Sequence, residues 1–552
     1  MGQPITSITI VGGGSTGWIV AAYLNKRLQW SPATRRDMKI TVIESPEIGT
    51  IGVGEATVPT LKSTLQFLGI SEAEFIDRTD ASFKLGIWFH DWNRDENGQP
   101  LGYLHPFTGG TTLSGLHPGF GFKKFGFPNR PNATDQDYVR AISMAREAVD
   151  AMRGPRALNG PAFRGALQYA YHIDAGKFAK FLSEVCVARG VTHIKDNVVD
   201  VKCDARGYIS SLMLKENGDW PVELVIDCTG FKGLLIRETL EEPFDSYSDY
   251  LLNDRAIPIQ IKHDDPQKIA SVTTATALEA GWSWRIPLSS RIGTGYVYSS
   301  AFKSDDDAFE EFQGVLNGQA NGAEPRVIKM RVGRMRRSWV KNCVAMGLSS
   351  GFLEPLESTA IMSVELQVRW LLYYMPTLDF EEPLQDQFNA TCGRLYDEIR
   401  DFLCIHFSQS MRNDTPYWKA VRHEAKRSDI LDYQLAVWRK TLPGPMDQRT
   451  NMIFSHWSVS CLLMGKGFYR DANLNDSELV TREAWGRYCQ KLWTRKKELM
   501  GRLANHRNLI EHMRSQAVHG ESVSKATQRM SAEVSGGREL AASAQPVMSV
   551  HG

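Results

Sequence analysis

The sequence is poor in paired thiols, in net charge and in long apolar runs. Its eight cysteines, Cys186, Cys203, Cys228, Cys343, Cys392, Cys404, Cys461 and Cys489, are scattered, and none forms a CxxC pair. That pattern leaves no zinc knuckle and no dithiol redox motif. Sixty-four Lys and Arg against sixty-three Asp and Glu give a net charge of +1, so nothing marks nucleic acid or an anionic membrane as a partner. No apolar run reaches the roughly 20 residues that cross a bilayer. No secretory signal is legible, and the chain reads as cytoplasmic with reduced thiols. The thirteen histidines are dispersed, and no metal-ligand cluster is expected.

What is present is the material of a globular protein. The 552 residues are 42% hydrophobic and 23% charged, enough for two or three domains and a large core. From about Ser515 the chain turns to Ser, Ala, Gly, Gln and Glu with few large apolar residues, and residues 515–552 are expected to be a mobile tail.

The N-terminus carries a strand, a glycine turn and a helix. Ile5 to Val11 is apolar and β-branched, Gly12-Gly13-Gly14-Ser15-Thr16-Gly17 follows, and Trp18 to Leu24 is apolar again. In such a GxGxxG turn Gly12 permits the sharp bend. Gly14 lets a pyrophosphate approach the backbone, and Gly17 lets helix and strand pack closely. The phosphate then meets the N–H groups of the helix start, near Ser15 and Thr16. A second strand, Lys39 to Ile43, ends in Glu44, a carboxylate suited to ribose hydroxyls. This unit predicts a dinucleotide site but does not separate NAD from FAD. Later pieces extend the sheet: Asp196–Cys203 and Tyr208–Leu214 read as strands about a turn at Arg206-Gly207. Leu224 to Gly230 and Val344 to Gly347 each read as a strand closing on glycine.

Three further segments carry candidate chemistry. Gly281-Trp282-Ser283-Trp284-Arg285-Ile286-Pro287 suits a strand with both indoles on one face, ended by a proline that cannot donate to a ladder. On its residues alone such a pair is more often an ordinary core strand than a functional one. Ser82 to Phe89 alternates as a strand, with Phe83, Leu85, Ile87 and Phe89 on one face and Ser82, Lys84, Gly86 and Trp88 on the other. Lys84 is then either a tunnel wall or a solvated strand lysine. Glu354-Pro355-Leu356-Glu357-Ser358-Thr359-Ala360 precedes an apolar helical run from Ile361 to Leu372. Ser358 or Thr359 is its natural N-cap. Glu357 could simply complement the helix dipole.

Together these motifs resemble the flavin-dependent halogenases, the family that includes the tryptophan halogenases. The resemblance spans about residues 5 to 465 in five ordered motifs: the glycine loop, Gly54-Glu55-Ala56-Thr57-Val58-Pro59, Phe83-Lys84, Trp282-x-Trp284-x-Ile286-Pro287, and Glu354 to Ala360. It implies an α/β fold: an FAD-binding, monooxygenase-like GxGxxG domain over 1–380 with an inserted β-rich substrate segment, and a mostly helical substrate region over 381–514. It implies FAD contacts from Gly12, Gly14, Ser15, Thr16, Gly17, Glu44, Ala56, Thr57, Val198, Leu348 and Ile361. Halide binding falls to Thr359 and Ala360, catalysis to Lys84 and Glu357, and shielding of the flavin to Trp282 and Trp284. Ala360 stands where the family has glycine, which puts the backbone geometry or the pocket width in question.

The implied reaction uses reduced FAD, oxygen and chloride or bromide to make hypohalous acid, which is guided to Lys84 and halogenates an electron-rich aromatic. The amine either donates a hydrogen bond to that acid or becomes a haloamine. A diffusible flavin reductase supplies the reduced FAD, because no reductase domain is visible, and a homodimer is compatible with the family. His105 and Phe107, twenty or so positions after Lys84, and Phe454 correspond to substrate residues, although Pro106 also suits a plain turn. The family's tyrosine pair and glutamate that clamp free tryptophan have no counterpart in Thr441 to Trp457. Indole or an indole-bearing molecule is therefore the expected substrate. The competing readings are a flavin monooxygenase that hydroxylates an aromatic and a non-catalytic flavoprotein.

Overall fold

The computed structural model describes residues 2–29, 37–49, 54–95, 97–126, 134–320, 324, 326–447 and 453–519. Its base is a six-stranded sheet assembled from distant parts of the chain. In spatial order the strands are Trp339–Val340, Cys343–Ala345, Leu224–Asp227, Ser7–Val11, Lys39–Glu44 and Thr192–Lys195. All neighbours run parallel except the Trp339–Val340 and Cys343–Ala345 pair. Ser7–Val11 is buried almost throughout, as a parallel strand covered on both faces must be. The pair around Arg206-Gly207 forms as expected, Val198–Cys203 antiparallel to Ile209–Leu214.

The inserted β-rich segment is a seven-stranded sheet. Its order is Ile328–Lys329, Arg255–Ile261, Ile292–Tyr298, Gly281–Pro287, Thr273–Leu278, Gly86–Arg94 and Pro100–Pro106. Pro287 is the last residue of its strand. A three-stranded sheet joins the two halves: Ala170–Asp174 lies in its centre, between Gly54–Ala56 and Ser82–Lys84.

One sequence expectation changes here. Ser82 to Phe89 is not one strand but two, in different sheets, broken at Leu85. The break coincides with a change of partners: Ser82–Lys84 pairs with Ala170–Asp174, whereas the strand from Gly86 pairs with Thr273–Leu278 and Pro100–Pro106. Leu85 bridges the seam, its N–H donating to Ser271 O and its carbonyl accepting from Phe107 N.

The region from Glu382 is helical, beginning with the long helix Glu382–Ser408. It does not stay apart from the rest. The last helix, His506–His519, packs on Glu72–Arg78, and the buried His506 Nε2 accepts from Phe83 N. That helix runs through 515–519, where the tail is expected to start, and 520–552 lies outside the described residues. No helix among the described residues is long and apolar enough to cross a membrane.

Candidate active site

The glycine loop has the geometry of a dinucleotide cradle. Gly12 has φ +116°, and a Cβ there would sit 2.2 Å from Cys228 O, while one on Gly17 would sit 1.9 Å from Gly12 O. Both positions therefore require glycine. Gly14 differs: nothing lies within 4 Å of where its Cβ would be. It caps the ten-residue helix Ser15–Leu24 with no side chain bonded to the free N–H groups. An open approach to unpartnered amides at a helix start is what a pyrophosphate needs, so the residues present fit FAD. Glu44 ends its strand beside the turn, against Gly13, and one of its oxygens contacts His193 Nε2 at 2.7 Å. Ser15 Oγ donates to Ala175 O, and Thr16 packs on Gly347, the neighbour of Leu348. Val198 opens its strand partly buried, packed on the cluster that includes Val11 and Ile43, and Ile361 is buried at the start of helix Ala360–Tyr373.

Lys84 lies at the sheet seam, 0% exposed. The solvated-lysine alternative is thereby removed. Its Nζ donates to Thr57 O at 3.1 Å and to Ser358 Oγ at 2.9 Å. The Phe107 ring lies 5.1 Å from the same nitrogen. Thr57 is itself fixed on Tyr171, giving its N–H and Oγ hydrogen to the Tyr171 carbonyl and accepting from Tyr171 N. Ala56, paired with His172, is buried beside it. Burial pushes the Lys84 amine down to about 7, against an upward pull from Glu357.

Glu357 ends the short turn Pro355–Glu357 and is also buried. His105 Nδ1 lies 3.1 and 3.0 Å from its two oxygens. His406 Nε2 lies 2.7 Å from Oε1. That second pair is off the line of a good hydrogen bond. Burial alone would raise the carboxyl, yet the two imidazoles outweigh it and hold Glu357 down at about 2. Burial also lowers His406, to about 4, despite the carboxylate. Tyr103 Oη meets His406 Nδ1 at 3.2 Å.

Ser358 is not the N-cap of the next helix. It has φ +60°, an uncommon left-handed conformation for a residue with a Cβ, and its hydroxyl faces Lys84. Thr359 caps the helix and Ala360 opens it. Ala360 is helical and does not have a positive φ, so its methyl imposes no backbone strain.

Trp282 and Trp284 share one face of their strand, with centroids 6.2 Å apart. Ile286 meets Gly54, which brings two motifs together: a Cβ on Gly54 would lie 3.1 Å from Ile286 Cγ2. Phe454 stacks on Phe402, ring centroids 3.6 Å apart at 8°, and Phe402 is 5.9 Å from His105. Part of the stretch compared with the tryptophan clamp, 448–452, lies outside the described residues. Sequence reasoning missed His406, because a histidine inside a 27-residue amphipathic helix carries no local mark. It also missed the Ser358 contact and every partner of Glu354.

Comparison with known proteins gives one family. The family model described as tryptophan halogenase matches residues 7–477. The tryptophan 6-halogenase SttH of Streptomyces toxytricini is 37% identical over 486 residues, covering 83% of this chain and 89% of that protein. The tryptophan 7-halogenase RebH of Lentzea aerocolonigenes is 35% identical, covering 86% and 91%. The crystal structure of a tryptophan halogenase from Shewanella frigidimarina superposes with TM-score 0.85 at 32% identity, over 93% of this chain and 98% of that one.

Proposed function

The chain belongs to the tryptophan halogenase family and is a flavin-dependent aromatic halogenase, and from that premise we propose that Lys84 and Glu357 carry halogen transfer to an indole-type substrate. The observation that carries the proposal is geometric: Lys84 and Glu357 are both buried, and Lys84 Nζ donates at 2.9 Å to Ser358 Oγ, on the residue that follows Glu357. Bound reduced FAD supplies, with oxygen, the oxidation of halide to hypohalous acid. Around it, Gly12, Gly14 and Gly17 form the phosphate cradle, with Glu44 at the ribose end. Amides at Thr359 and Ala360, where the 14-residue helix begins, hold the halide.

In its neutral form Lys84 donates both N–H groups, to Thr57 O and Ser358 Oγ, which leaves the nitrogen lone pair free. That lone pair attacks hypohalous acid: a nitrogen–halogen bond forms, the oxygen–halogen bond breaks, and water leaves with the amine proton. The aromatic ring then takes the halogen. Glu357, ionised at any ordinary pH, accepts the ring proton and returns it to the Lys84 nitrogen, so the amine is regenerated. His105 Nδ1–H and His406 keep the carboxylate charged until that moment. Trp282 and Trp284 keep the organic substrate from the flavin, and Phe107, His105 and Phe454 border the ring to be halogenated. The helices from Glu382 form the substrate region. Reduced FAD comes from a separate flavin reductase.

The family relatives act on tryptophan by name, which supports an indole substrate, and free L-tryptophan is assayed beside indole. The test supplies FAD, a flavin reductase, NADH, oxygen, either aromatic, and chloride or bromide, with product mass read directly. A chlorine or bromine isotope pattern supports the proposal. A gain of one oxygen without halogen overturns it.

A further inference from the structure

The turn that carries Glu357 is anchored at its other end by a residue with no assigned part in the reaction. Glu354 stands three positions earlier, 1% exposed. One of its oxygens, Oε2, accepts two buried hydrogen bonds: from Trp282 Nε1 at 2.9 Å and from Asn253 Nδ2 at 2.8 Å. Both donors belong to the inserted sheet, Trp282 on Gly281–Pro287 and Asn253 just before Arg255–Ile261. Between Glu354 and Glu357 there are only Pro355 and Leu356, wound into one short turn whose Ser358 N–H closes on Pro355 O. Proline fixes its own φ, and Leu356 is buried. A displacement of Glu354 is therefore passed on to Glu357 with little slack. At the far side Ser358 is held by Lys84.

We propose that Trp282, Asn253 and Glu354 form a strut that positions the Glu357 turn against Lys84, so that the first tryptophan of the WxWxIP motif acts through its indole N–H as well as its bulk. This rests on the catalytic reading of Glu357. The second tryptophan takes no part in the strut: its ring covers Gly295, where a Cβ would lie 2.1 Å from the indole, and its Nε1 has no hydrogen-bond partner. Trp284 is thus the filler of the pair and Trp282 the linker. The Glu354 carboxyl suits this part. Burial raises it to about 7 against the two donors, and its other oxygen is buried without a partner, so the group serves the two hydrogen bonds rather than an ion pair.

The strut predicts a specific failure. Halide oxidation precedes the Glu357 step, so loosening the turn leaves total oxidised halogen unchanged and lowers the share delivered to the aromatic. The experiment measures that partition in the full-length enzyme with FAD, reductase, bromide, indole and a soluble halogen trap. In Trp282→Phe, which keeps an aromatic ring and removes the N–H, and in Glu354→Leu, delivery is expected to fall about tenfold, the worth of one or two buried hydrogen bonds, while the trap gains what the ring loses. Glu354→Gln retains a side-chain oxygen and is expected to recover most of the delivery. FAD affinity is expected to stay unchanged in Glu354→Leu and Glu354→Gln. Glu357→Gln, run in parallel, separates the two ideas. If it keeps full delivery, the catalytic reading of Glu357 fails. If it loses delivery while Trp282→Phe and Glu354→Leu keep theirs, the strut alone is overturned. An oxygenated product from Trp282→Phe at unchanged delivery also overturns the strut, in favour of shielding alone.

Discussion

On the proposed mechanism the proton on Lys84 decides which of two routes moves the halogen, and pH is the perturbation that separates them. The amine is buried and pushed down to about 7. A lysine whose folded value lies below its ordinary one is neutral above that value and charged below it, so the nucleophilic form grows as pH rises. The neutral fraction is roughly one-tenth at pH 6, one-half at pH 7 and nine-tenths at pH 8, so delivery through a haloamine rises about ninefold across that range. A route in which the ammonium donates a hydrogen bond to hypohalous acid falls by the same factor. The facing groups do not confuse the sign: Glu357, at about 2, stays ionised, while burial keeps His406, at about 4, and His172, well below the usual range, neutral. Glu55 and Glu354, each raised by burial to about 7, do titrate in the window. The profile is therefore repeated in Glu55→Gln and Glu354→Gln. The assay is a single turnover with pre-reduced FAD, quenched and read as halogenated indole divided by total oxidised halogen, which removes the pH dependence of halide oxidation. A ratio that falls with pH, or stays flat, refutes the neutral-amine route.

Other perturbations follow from the same geometry. Lys84→Ala is expected to leave FAD binding intact, by flavin fluorescence titration, and to abolish halogenated product; retained product removes Lys84 from the mechanism. Glu357→Gln is expected to cut kcat about a hundredfold, in the range of a lost general base, with little change in KM for indole. Gly14→Leu adds a side chain where a Cβ meets nothing within 4 Å, so thermal stability is expected to hold while FAD affinity drops at least tenfold; an unchanged affinity would move the phosphates elsewhere. Ala360→Gly is expected to change the ratio of chloride to bromide rates, since the backbone is already helical there; equal ratios before and after would remove pocket width as a determinant.

The legible parts of this protein were those written in consecutive residues. The glycine turn, the strand ending at Pro287 and the helix after Thr359 each follow from local rules, and the structure has them where the residues put them. What the sequence concealed was pairing at long range. Alternation runs unbroken from Ser82 to Phe89, so nothing local marks the change of sheet at Leu85; the two sides differ only in the distant strands they pair with. His406 reaches Glu357 from a different helix, and Glu354 meets Trp282 across 72 positions. These hidden contacts share one consequence. Lys84 and Glu357 arrive from separate elements and both are buried, so each depends on groups borrowed from other elements. The lysine takes two acceptors, from Thr57 and Ser358, and the carboxylate takes two imidazoles. Burial without those partners would cost several kcal/mol for each charge. At the seam between the sheets a buried amine and a buried carboxylate are each held by such borrowed partners, and the reactivity assigned to them depends on those contacts staying made.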